Sequence, residues 1–444
     1  MDKRSVEENS RMLGAMYRSL QKKSIGPDHP LYVNAWEGLP YDPVARMRNQ
    51  IEWSEVDSLQ LFSGFSGAGK TTQLLRLQKE LTAAGYLVIY ADAEDYLNLG
   101  EAVDISDLLY TVAGAFSDGL QRAEVSLPQG ESYWKRFWNY LKTTTVEVKE
   151  LTIPAGEVEL KLELQTSTTF RQKLQQHLAP QLRDLTGQAH AFVDEGLQEV
   201  RRKYGEDKRV VFLLDSLEKL RATPSNEQEM MDRLEKLFRN HLRNLKFPWM
   251  HCVYTVPAWI REVVAYAGMT MIPSIKLQES RDSNAPWQHG WNVLRELVRR
   301  RLDGEGCRLL FGEPDVHGNY PLADRLIEMS GGAPRDLLRL FTELILLTPA
   351  EKLPVEPRLV ESAVATLRNT MRVSVKDAYW LDRVTQTKAA DLPTSDKRDV
   401  NHYMRMLDNH FVLCFRNDSD WYDVHPLIRD EVKRIVSLHP EPGP

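Results

Sequence analysis

The chain has 444 residues, and 57 Lys and Arg stand against 63 Asp and Glu for a net charge of −6, so it lacks the basic excess of a dedicated nucleic-acid binder. At roughly 150 residues per domain the length predicts about two to four domains, and 42% hydrophobic with 27% charged residues excludes disorder along the whole chain. Cys252, Cys307 and Cys414 are widely spaced with no CxxC pair, which excludes a disulfide framework and a clustered zinc site and points to a reducing compartment.

The start, Met1-Asp2-Lys3-Arg4-Ser5, is polar. With no apolar run of about 18 residues anywhere, the expectation is a cytoplasmic protein that does not span a membrane.

Residues 1–45 read as an arm. Met12, Leu13, Met16, Tyr17 and Leu20 recur at helical spacing, and a Pro/Gly-punctuated stretch follows. Residues 46–284 alternate short apolar runs with longer amphipathic segments, the pattern of an α/β domain with a parallel sheet. Strands are expected at 59–63, 86–91, Val210–Asp215, Met250–Val256 and 274–277.

Near 145–164, apolar and charged residues alternate on both sides of Pro154-Ala155-Gly156, which predicts an inserted β-hairpin. It would be either a solvated decoration or, through its exposed edges, a docking element. Residues 285–350 turn helical. Residues 351–444 carry short helices, then Phe411-Val412-Leu413-Cys414-Phe415, a turn at Asn417-Asp418-Ser419-Asp420, and Trp421-Tyr422-Asp423-Val424. Helices followed by a two-stranded ribbon predict a winged-helix module with a Pro-rich tail.

The strongest chemical signal is Gly64-Phe65-Ser66-Gly67-Ala68-Gly69-Lys70-Thr71, a full GxxxxGK[ST] pattern between an apolar strand and an amphipathic helix expected over 70–84. Its glycines let successive N–H groups of Gly64, Ser66, Gly67, Ala68 and Gly69 turn toward phosphate, and the following helix, which opens on Lys70, Thr71 and Thr72, adds its positive end. Lys70 would reach the β- and γ-phosphates of ATP, and the Thr71 hydroxyl would ligate Mg²⁺.

Val210-Val211-Phe212-Leu213-Leu214-Asp215 supplies the carboxylate such a site needs for the metal, at the end of a strand apolar on both faces. The next residue is Ser216 where a water-polarising glutamate would stand. Glu218 is the nearest substitute, or else a helix-start acid; Asp92, Glu94 and Asp95 rank behind it. Thr255, at the tip of the Met250–Val256 strand, is either a γ-phosphate sensor or a turn cap. His425 reads as a packing residue at a helix start, because no second ligand lies at metal spacing.

These motifs resemble AAA+ and STAND P-loop ATPases, with the closest likeness to origin-recognition-like and KAP-like members. The likeness rests on the phosphate loop, on Leu214-Asp215-Ser216-Leu217-Glu218-Lys219-Leu220, and on Ser330-Gly331-Gly332-Ala333-Pro334-Arg335-Asp336-Leu337-Leu338-Arg339-Leu340. Gly332-Ala333-Pro334 also matches the GxP motif of STAND proteins, and Trp421 to Asp430 resembles a winged-helix ending. Together they cover about residues 46–435.

The resemblance implies a parallel sheet in 5-1-4-3-2 order, a helical lid over 285–350 whose Arg335 reaches the γ-phosphate, and a C-terminal winged helix. A guanidinium keeps its charge and grips phosphate with two donors, so Arg335 would couple nucleotide state to the lid. The resemblance further implies a homo-oligomer or partner protein, with a trans arginine drawn from Arg261, Arg281, Arg299, Arg300 or Arg301.

Three functions compete. One is an ATP-hydrolysing switch, in antiviral defence by the STAND likeness, acting on a separately encoded effector. Another is a DNA-binding initiator, which the 14 basic and 15 acidic residues of 351–444 disfavour. The third is a nucleotide-binding scaffold without hydrolysis.

Overall fold

The computed structural model describes residues 3–144, 152–219, 227–390 and 397–439. In chain order these form α1 (Lys3–Gln21), α2 (Pro43–Glu52), β1 (Ser58–Gly64), α3 (Lys70–Ala83), β2 (Leu87–Asp92) and α4 (Ile105–Arg122). A helical stretch follows: α5 (Tyr133–Thr144), α6 (Glu157–Thr166), α7 (Thr168–Leu178) and α8 (Leu182–Tyr204). Then come β3 (Val210–Asp215), α9 (Glu227–Asn240), β4 (Met250–Val256), the one-turn α10 (Ile260–Val263) and β5 (Met269–Ile272).

The ribbon β6 (Gln278–Ser280) and β7 (Ser283–Pro286) leads into α11 (Gln288–Phe311), α12 (Pro321–Met329), α13 (Pro334–Leu347) and α14 (Pro357–Arg368). The described chain ends with α15 (Val375–Thr387), α16 (Lys397–Asp408), β8 (Val412–Arg416), β9 (Asp420–Val424) and α17 (Pro426–Leu438). Two compact units result. One holds residues 1–40, 64–72 and 272–444, and the other residues 41–63 and 73–271.

The second unit is built on the five-stranded sheet, in the order β2-β3-β4-β1-β5. From the opposite edge this is 5-1-4-3-2, as expected. The pairings of β1 with β4, β3 with β4 and β2 with β3 are parallel, and the last register sets Asp92 opposite Asp215. Every residue of β3 and β4 is buried, as a parallel sheet covered on both faces requires. Asp42 caps α2 through the N–H groups of Val44 and Ala45, and also accepts two hydrogen bonds from Arg76 at 2.6 and 3.1 Å.

Two sequence expectations are corrected. Residues 157–166 are helix α6, not the second arm of a hairpin; positions 145–151 of the proposed first arm lie outside the described residues. Glu, Leu and Lys are strong helix formers, and only Leu160 and Leu164, one turn apart, are buried, while Val158 and Leu162 are exposed. The alternation therefore matched a strand period that the packing does not use. The fifth strand is Met269–Ile272 rather than 274–277. The N–H groups of Ser274 and Ile275 bond instead to the carbonyls of Cys414 and Gly332 at 2.8 and 3.0 Å.

In the first unit, α1 packs on α11 and α13 and buries Leu13, Met16 and Leu20 in the core that those helices share with α12 and α14. Fully burying side chains of this size is worth about 2 kcal/mol each in transfer free energy. The buried Arg301 of α11 donates to the carbonyls of Ser19 and Lys22 at the end of α1. Helix α15 packs on α17 and β9, and α16 on β8. The β8–β9 ribbon is antiparallel, with Val412 opposite Val424. Phe415 stacks on Trp421 with centroids 4.5 Å apart, and both join Leu413 and Ala333 in one cluster.

Candidate nucleotide site

The phosphate loop and the head of α13 lie together in the first unit. Gly67 and Gly69 take φ of 83° and 97°, left-handed backbone that a side chain disfavours. The Ala68 N–H returns to the Phe65 carbonyl at 3.2 Å, which curls the loop ahead of α3. Lys70 opens that helix; it is buried, and its ammonium donates to the carbonyls of Gly64 and Phe65 at 2.7 and 3.0 Å. Thr71 and Thr72, half-buried, follow in the first turn.

Arg335, the second residue of α13, is exposed and donates from a guanidinium nitrogen to Ser66 Oγ. A Cβ added to Gly67 would collide with the Arg335 side chain. The loop therefore carries two fixed cations, Lys70 and Arg335, beside the positive end of α3, and this donor set fits a polyphosphate.

In the second unit, Asp215 ends β3 fully buried. Its Oδ2 accepts from the Tyr90 hydroxyl at 2.8 Å and its Oδ1 from the Ser216 N–H at 2.7 Å. Burial first, then the Asp215 charge, push the Tyr90 hydroxyl far above its ordinary range, so it stays a donor. Ser216 holds a φ of 72° with its hydroxyl buried and unbonded.

Thr255 Oγ1 accepts the Leu217 N–H at 3.1 Å and so caps the turn that carries the half-buried Glu218. Lys219 bonds Glu94 at 2.6 Å and lies 4.0 Å from Asp92. Burial, and then Asp92, raise the Asp95 carboxyl above its usual range. Acidic groups thus gather at the β2 and β3 ends, as the register of Asp92 and Asp215 requires.

The arginines considered for a trans role have neighbours of their own. Arg301 is committed to the end of α1. Arg299 and Arg300 bond Glu296 at 2.7 and 2.6 Å, and Arg261 meets the Met271 sulfur. Arg281, at the β6–β7 turn, is exposed beside Asp282.

His425 caps α17, accepting the Leu427 N–H at Nδ1, and its Nε2 lies 3.5 Å from Asp336. Tyr90, Phe65, Asp336 and His410 were not singled out from the sequence. The one local signal was that Asp336 directly follows Arg335.

A 5-1-4-3-2 parallel sheet whose first strand runs into a glycine-rich phosphate loop and then a helix defines a P-loop NTPase core. No protein-family model matches the chain, and no curated protein does. Solved structures similar to it include the Aeropyrum pernix ORC2 protein in ADPNP–ADP complexes, at 11% identity and a TM-score of 0.40 over 95% of this chain and 96% of that one. The Aeropyrum pernix ORC1 protein in complex with DNA is similar at 15% identity and a TM-score of 0.33, over 96% of both chains. A Walker-type ATPase of Pyrococcus abyssi is similar at 11% identity and a TM-score of 0.34, over 91% of this chain and all of that one. No helix among the described residues is long and apolar enough to cross a membrane.

Proposed function

We propose that the protein is an ATP-binding and slowly hydrolysing switch of the AAA+/STAND kind. The observation that carries this reading is the contact of Arg335 with Ser66, which joins the head of α13 to the phosphate loop. ATP with Mg²⁺ would supply the transferable phosphoryl group. Lys70, Arg335 and the amides of Gly64 to Gly69 bind and orient the phosphates; Thr71 and Asp215 are the proposed metal ligands.

Tyr90 and the Ser216 N–H hold Asp215 in one rotamer. Glu218 is the proposed acceptor of the attacking water's proton, and Thr255 fixes the turn on which Glu218 sits. Because Ser216 stands in the usual glutamate position, basal turnover should be weak and rise with a partner protein. The helix-helix-ribbon order of residues 375–439 is taken as a winged helix that reads the nucleotide state. An antiviral setting with a separately encoded effector rests on the STAND likeness alone.

The test is phosphate release and nucleotide binding by wild type, Lys70→Ala and Glu218→Gln, with and without duplex DNA. Loss of binding in Lys70→Ala and loss of turnover with retained binding in Glu218→Gln are expected. Equal release by wild type and Lys70→Ala sinks the ATPase reading. Retained binding without turnover in wild type leaves the scaffold, and DNA-dependent turnover would favour the initiator.

A further inference from the structure

The second residue of α13 touches the phosphate loop, and the third does so through an intermediary. Asp336 is buried, and its Oδ2 lies 3.1 Å from His410 Nδ1 and 3.5 Å from His425 Nε2. His410 sits between α16 and β8 and His425 between β9 and α17, so both imidazoles belong to the C-terminal helix-ribbon group. The Leu427 N–H donates to His425 Nδ1, which leaves Nε2 as the protonated nitrogen facing the carboxylate. The other charged groups nearby are Arg339, 3.3 Å from Asp336 Oδ1, and Arg429. Burial alone would raise the Asp336 carboxyl, but His410 and His425 outweigh it and hold the group ionised, well below the usual range.

His410 has a second contact. Its ring meets that of Phe65 edge to face, with centroids 6.0 Å apart and planes at 77°. Phe65 directly precedes Ser66, the acceptor of Arg335. His410 also holds a φ of 60°, a left-handed conformation that a side chain disfavours and that is retained where surrounding contacts impose it.

The contacts therefore close a ring. Arg335 and Asp336 are adjacent in α13, and Phe65 and Ser66 are adjacent in the loop. One link runs directly from Arg335 to Ser66, and the other passes through His410.

We propose that Asp336 is a positioning residue for Arg335 and that His410, gripping Asp336 and Phe65 together, makes the C-terminal helix-ribbon group responsive to γ-phosphate on the loop. This rests on the nucleotide-site reading above. In this arrangement a phosphate that draws Arg335 from Ser66 pulls on the head of α13, and Asp336 carries that pull to both imidazoles. ADP has no γ-phosphate to engage Arg335, so the ring should favour ATP over ADP.

The test is titration of the full chain with fluorescent ATP and ADP analogues. Arg335→Ala sets the floor by removing the preference for ATP. Asp336→Asn and His410→Ala should each weaken ATP binding about tenfold and leave ADP unchanged. His410→Asn should retain most of the preference, because its amide N–H replaces Nδ1 and Asn tolerates the left-handed backbone.

In an Arg335→Ala background, Asp336→Asn should add nothing. Equal loss of ATP and ADP affinity, no loss at all, or a full additional loss in that background overturns the proposal. If circular dichroism shows Asp336→Asn unfolded, Phe65→Leu carries the same test, with the same selective loss of ATP expected and a parallel loss overturning it. Lys70→Ala separates the two levels: if it binds both nucleotides like wild type, the site reading fails, whereas if it loses both and the cycle is additive, only the coupling fails.

Discussion

Replacing Gly332 by Ala should be among the costliest methyl additions in the first unit. Gly332 holds a φ of 83°, and a Cβ there would overlap the carbonyl oxygen of Ile275. Gly38, in the same unit, has a φ of 73° with nothing near an added Cβ. The two positions share the backbone penalty of about 1–2 kcal/mol for a side chain in left-handed conformation and differ in the steric one. At Gly332 the backbones must part, which strains the 3.0 Å bond from the Ile275 N–H to the Gly332 carbonyl. Losing that bond is worth about 1 kcal/mol, and forcing packed backbone aside costs about 1–3 more.

Gly38→Ala should therefore cost about 1–2 kcal/mol and Gly332→Ala about 3–6 kcal/mol. Urea midpoints at constant m-value read the difference. Hydrogen exchange at the Ile275 amide localises it, because that amide should lose protection in Gly332→Ala and keep it in Gly38→Ala. Costs for the two variants that agree to within about 0.5 kcal/mol, the usual spread for neutral changes, would refute the steric account of the Gly-Gly-Ala-Pro turn.

Ser216→Gly should stabilise the second unit by about 1 kcal/mol, since it relieves the left-handed backbone and removes a buried, unbonded hydroxyl; a lower urea midpoint would refute this. Asp107, fully buried at the head of α4, has its carboxyl raised to about 6 by burial and then by Asp104. A raised acid favours the protonated fold, so its contribution is complete below about pH 4 and lost as pH rises through about 6. Wild type should accordingly lose about 3 kcal/mol relative to Asp107→Asn between those limits, and parallel stability profiles for the two proteins would show the carboxyl ionised throughout.

What the sequence revealed tracks how local each cause is. The phosphate loop is eight consecutive residues whose φ values and backbone donors are set within the loop, and β3 is six apolar or acidic residues buried on both faces, so neither needed tertiary information. Segment 157–166 shows the opposite case, where strand periodicity and helix propensity conflict and tertiary burial of Leu160 and Leu164 decides. The segment Ser274-Ile275-Lys276-Leu277 alternates polar and apolar residues as a strand would, yet the N–H groups of Ser274 and Ile275 are taken by the carbonyls of Cys414 and Gly332, partners remote in sequence.

Asp336 marks the limit most clearly. As the third residue of α13 it satisfies a local rule, a carboxylate at the positive end of a helix, and that rule values it at a few tenths to one kcal/mol with Asn a fair replacement. Its actual partner, His410, is 74 residues away, and the link from His410 to Phe65 spans the chain again. A residue whose local role is sufficient gives no sign in the sequence that a second one exists. The two roles are separable because a helix-end carboxylate influences ATP and ADP alike, and only a carboxylate tied to Arg335 can distinguish them.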